Sequence, residues 1–114
     1  MYICYSKVGH DCKFVKCQTL KPSLIRSGVI RHYHDEVANL GRNPFKHNTR
    51  IDCDKLFCSN SVQYDLRLKT SSRGNVCDDV FRRVENELLS DGYTSIHINE
   101  NSLIALNPLI TRVF

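Results

Sequence analysis

The chain has 114 residues, 41% of them hydrophobic and 25% charged, and a formal net charge of +4 at pH 7. That is one domain's worth of sequence, residues 1–114, long enough to bury a core without staples and neither disordered nor fibrous in composition. No apolar run approaches the roughly 18 to 20 residues needed to span a bilayer, and the first residues lack the basic flank and long apolar stretch of a secretory signal, so a cytoplasmic or nuclear, reducing setting is expected.

"YICYSKV", Tyr2–Val8, is short, aromatic and β-branched, and predicts a strand. "DCKFVKC" follows and is read as a loop or knuckle. Over residues 22–40, Ile25, Val29, Tyr33, Val37 and Leu40 recur at helical spacing, with Pro22 suited to a first turn and Gly41 to a left-handed stop. "GRNPFKHNTRID" has Gly, Pro and Asn without a period and predicts a loop. "SVQYDLRLKT" alternates, placing Val62, Tyr64, Leu66 and Leu68 on one face of a strand and Gln63, Asp65, Arg67 and Lys69 on the other. "SSRGN" predicts a turn.

Residues 76–91 give the strongest helical pattern, with Cys77, Val80, Phe81, Val84 and Leu88 as its apolar stripe. Asp78–Arg82 and Asp79–Arg83 stand at the supporting i,i+4 spacing, and Gly92 ends it. "TSIHIN" and "SLIALN" are read as a closing hairpin around Glu100-Asn101, with Pro108 ending its second strand. "LITRVF" is an apolar tail that must pack or meet a protein partner. The resulting expectation is a small α+β sandwich: about four strands, mixed or antiparallel, with two amphipathic helices on one face, ferredoxin-like as one option.

Asp-Cys, four residues, Cys occurs twice, as Cys12/Cys17 and Cys53/Cys58. Two close cysteine pairs are how a structural zinc site commonly draws four ligands. These four residues are therefore the candidate metal ligands, with His10 as a substitute for one sulfur. Buried structural thiols and disulfides are the alternatives, and Cys4 and Cys77 read as core. A nucleophilic thiol would pair Cys12 with His10 or Cys53 with His47.

"HYH", His32-Tyr33-His34, resembles the metal-binding triplet of the HUH replication and mobilisation nucleases. That resemblance implies a divalent ion held by both histidines and a tyrosine nucleophile on a following helix. On a helix over 22–40 the two rings would point about 200° apart, and the helix over 76–91 has no tyrosine. His34, Asn43 and His47 between the cysteine pairs form a second nuclease-like set, of HNH type.

Charge is uneven. Residues 1–50 hold nine Lys/Arg against three Asp/Glu, and residues 51–114 hold seven against nine. A basic half predicts an anionic partner. Arg42, Lys46, His47 and Arg50 around Phe45 suit phosphate contact and base stacking, with Arg26 and Arg31 extending the patch. A sheet face carrying Arg67, Lys69 and His97 is the rival contact surface, and it lacks stacking aromatics. The expected protein is a zinc-stabilised RNA- or DNA-binding module. Its rivals are an accessory or assembly protein using the tail, and a metal-dependent nuclease.

Overall fold

The structure, a computed structural model, describes residues 1–68 and 76–113. β1 (Tyr2–Val8) turns at Gly9-His10 into β2 (Asp11–Thr19), and α1 (Pro22–Ser27) leads to β3 (Tyr33–Glu36). β4 (Thr49–Asp52), β5 (Lys55–Ser59) and β6 (Val62–Tyr64) follow, then a 3₁₀ turn over Leu66–Leu68. After the described gap come α2 (Asp78–Asp91), β7 (Thr94–His97), α3 (Glu100–Leu106) and β8 (Ile110–Arg112). The "SSRGN" turn and Lys69 lie outside the described residues.

Six strands form one mixed sheet in the order β3-β4-β2-β5-β7, with β1 also on β2; β6 and β8 form a separate antiparallel pair. β4 and β5 run end to end along one edge of β2, through Cys17↔Ile51 and Phe14↔Phe57, while β1 takes the other edge. β3 flanks β4 antiparallel, and β7 flanks β5 parallel. The α+β, mixed-sheet expectation holds, with six strands instead of about four. Among the described residues one helix of length, α2, covers one face, where two were expected.

The helix over 22–40 is the largest departure. Pro22 does open a helix, but it stops after Ser27, where Gly28 takes φ 62. Beyond it Val29, Ile30 and Tyr33 favour extended chain, and pairing with β4 captures that preference. The five stripe residues consequently face solvent, Val29, Val37 and Leu40 at 70% or more.

The "DCKFVKC" segment became a strand for a related reason. Val15 and Cys17 pack under α2, while on the other face Cys12 is buried and Phe14 meets Tyr64, so its burial does not alternate cleanly. Among the described residues of the predicted strand at 61–70, Val62–Tyr64 are strand, and Leu66 is exposed. The expected hairpin's second strand is α3. Asn99 caps it by accepting the Ser102 N–H at 3.1 Å, a signal the sequence carried. Asn99→Ala is expected to lose about 1 kcal/mol, read as a shift of the urea midpoint at unchanged slope. The tail finds its partner inside the chain, as β8 pairs with β6 and Ile110 is buried.

α2 packs as its stripe predicts. Val80, Val84 and Leu88 meet Val15, Cys17, Ile51, Cys53 and Leu56 from the sheet and Phe45 from the 37–48 loop. Phe81 stacks on Tyr5 with centroids 5.5 Å apart, and the Tyr5 hydroxyl donates to Glu85 at 3.1 Å. Asp79–Arg83 forms at 3.1 Å.

Candidate nucleic-acid interface

The two Asp-Cys segments are neighbours, but not as knuckles. They are antiparallel strands, with Cys12↔Ser59, Lys13↔Cys58 and Phe14↔Phe57 opposed. Cys12 and Cys17 are five residues apart on one strand, which sends them to opposite faces. Cys17 and Cys53 lie in the core beneath α2. Cys12 lies on the other face, with Cys4 and Lys7 of β1 beside it.

Burial pushes the Cys17 and Cys53 thiols up to about 12, as dry core positions do. All six cysteines are free thiols, and among the described residues no three His, Cys, Asp or Glu are grouped to hold a metal ion. The four predicted ligands are thus not brought to one point.

The basic loop is also dispersed. Phe45 is a core residue at 3% exposure. Arg50 is buried, makes a double hydrogen bond to Asp35 at 2.8 and 2.9 Å, and stacks 3.6 Å over the Tyr33 ring. Arg42 spans Glu36 at 3.1 Å and Asp79 at 2.8 Å. Only Lys46 and His47 of that set face solvent. Arg67 closes on Asp65 at 2.9 Å, and Lys69 lies outside the described residues.

His34 lies in β3 and His32 at the bend just before it, instead of on the expected helix. His34 Nε2 sits 2.7 Å from Glu36, and His32 Nδ1 3.9 Å from Glu87 on α2. Asn43 donates to the same Glu36 at 3.1 Å, while His47 stands apart in the loop. The rings serve carboxylates that tie β3 to its surroundings.

A different surface assembles itself on the face turned away from α2. Tyr2 pairs directly with Lys16, so both side chains leave the sheet together. The Tyr2 ring meets Phe57 edge-to-face at 5.7 Å, and Phe14 meets Tyr64 at 5.3 Å. Lys55 is two residues from Phe57 and emerges beside it. Lys7, opposite Cys12, adds a third ammonium. Lys16 and Lys55 both act on the buried Asp52 carboxyl, which burial holds above its ordinary value. Tyr2 is 53% exposed and Phe57 half-buried.

Sequence reasoning missed this face because two of its aromatics sat inside segments read as cysteine knuckles. The available signal was the echo itself: each segment carries one phenylalanine, and paired strands would stack them. No protein-family model matches the chain, and no curated protein or solved structure matches it.

Proposed function

We propose that the protein binds single-stranded nucleic acid on this second sheet face, with Tyr2 and Phe57 as the stacking floor and Lys16 and Lys55 as phosphate contacts. The observation that carries the reading is the Tyr2–Lys16 pair set against Phe57. An exposed aromatic, a second ring and two ammonium groups converge on a surface α2 leaves uncovered. Stacking on an aromatic side chain tolerates any base, because every base has a π-face. Two lysines supply charge without base readout. The contact surface is the sheet, and the 42–50 loop serves the fold.

Fluorescence anisotropy with a labelled single-stranded oligonucleotide tests it. Tyr2→Ala is expected to cost about 1–3 kcal/mol of binding, for one lost stacking contact. Two phosphate contacts give a salt slope of about −1.4, and Lys16→Ala halves it. A salt-independent signal, or a Tyr2→Ala protein that binds like the parent, rejects the reading.

One observation favours a second reading, a protein-docking role. Ile25, Val29, Val37 and Leu40 are all more than half exposed within a short segment. Absent nucleic-acid binding together with concentration-dependent self-association by sedimentation would favour it.

A further inference from the structure

The uncovered strip is narrow in one direction and short in the other, and both limits come from the fold. Along β2 the side chains on this face are Cys12, Phe14, Lys16 and Gln18. At the Phe14 end the small β6–β8 sheet closes over it, through Phe14–Tyr64 and the 2.8 Å hydrogen bond between Ser59 and Tyr64. At the Gln18 end β2 stops at Thr19 and the chain turns into α1, and Gln18 and Thr19 line an open hollow with Lys21, Ser23 and Leu24. Lys16 is the row left between them.

A polynucleotide running along β2 therefore meets β6–β8 at one end and the turn into α1 at the other. It can cross the strands. The crossing path goes from Tyr2 on β1 over Lys16 on β2 to Lys55 on β5, and on to Thr94, which β5 places opposite Lys55 on β7. Four strands are three spacings, about 14 Å in all. At the stacked spacing of about 3.4 Å per nucleotide, that path holds about four nucleotides at most.

Resting on the proposed nucleic-acid reading, we infer that the ligand is a short single-stranded stretch of no more than about four nucleotides, lying across the strands between α1 and the β6–β8 sheet. Both sheet edges end the path, so a longer strand gains registers and no contacts. The site suits a terminus, a loop or a brief gap in a duplex better than a long coated strand.

A length series decides it, using unmodified oligothymidylates from the dimer to the dodecamer in competition anisotropy against the labelled tetramer. Affinity is expected to climb to the tetramer and then rise only with the number of registers, about ninefold at the dodecamer. Affinity per register that keeps climbing tenfold or more between tetramer and octamer overturns the footprint while leaving the nucleic-acid reading intact. Failure of every length to compete, with no direct binding of the labelled strand, removes that reading and the footprint with it.

Discussion

Glu36→Ala is expected to cost about 3 kcal/mol of folding stability, a large fraction of what holds a domain of this size. The carboxylate is 7% exposed and takes four hydrogen bonds. Arg42 approaches at 3.1 and 3.4 Å, Asn43 at 3.1 Å and His34 at 2.7 Å. Removing it leaves the half-buried His34 and the buried Asn43 without their shared acceptor, and loosens Arg42 from β3 while Asp79 still holds it. Since Arg42 bridges to α2, the change also detaches the edge strand from the helix that caps the core. Burial by itself would raise the Glu36 carboxyl, but Arg42, His34 and Asn43 outweigh it and hold it below the usual value.

A carboxyl lowered in the folded state stabilises above its unfolded value of 4.5, and that contribution fades as pH falls through the folded value. The parent should accordingly lose stability in acid below about pH 4.5, and Glu36→Ala should lose less over the same range. Urea melts from pH 7 down to 3 give both numbers. A pH 7 difference under about 1 kcal/mol would show that the network contributes no more than a surface pair does.

How much of this was legible beforehand depends on what decided each segment. α2 was legible because its stripe, Val80, Val84 and Leu88, is set by one burial face, and a helix with one dry side writes its period into the sequence. β1 was legible from local propensity. The 22–40 segment was not, since its helical spacing of apolar residues is real but unused. Gly28 ends the helix, and the decisive term is pairing of β3 with β4, a contact with residues well downstream.

The candidate site was less legible, for a different physical reason. Regular spacing of Cys12, Cys17, Cys53 and Cys58 looks like ligand spacing. Here Cys17 and Cys53 sit in the core beneath α2, whereas Cys12 lies on the other face of β2 opposite Ser59, so equal spacing along the chain does not mean a shared face. Arg42 and Arg50 looked like free cations because their partners, Asp79 and Asp35, are distant in sequence or sit on another strand. Charge counted along a chain says nothing about which charges the fold neutralises.

The buried thiols supply the other large effect, and it lies at high pH. Cys17 and Cys53 are 5% and 0% exposed beneath α2, and burial pushes each from 9.0 up to about 12. A raised folded value means the native protein keeps protons that the unfolded chain gives up. Stability is therefore complete below pH 9, declines as pH rises past the unfolded value, and goes on declining to about pH 12. Three pH units amount to about 4 kcal/mol for each thiol at the top of that window, and roughly half of that midway. The two are neighbours, so the sum is somewhat coupled.

Tyr5 and Tyr64 are also raised by burial and act in the same direction, so the parent's alkaline slope alone does not identify the thiols. The variant does. Cys17→Ala removes one titrating group at the cost of a small cavity, so its stability line starts lower at pH 8 and falls less steeply from pH 9 to 11. The two urea-melt series should converge as pH rises. Lines that stay parallel over that range would mean that the Cys17 thiol ionises as readily in the folded protein as in the unfolded chain, and would refute a dry seat under α2. The same chemistry separates the thiols by access: Cys4, exposed on β1, should react with a disulfide reagent in the native protein, while Cys17 and Cys53 react only as fast as the core opens.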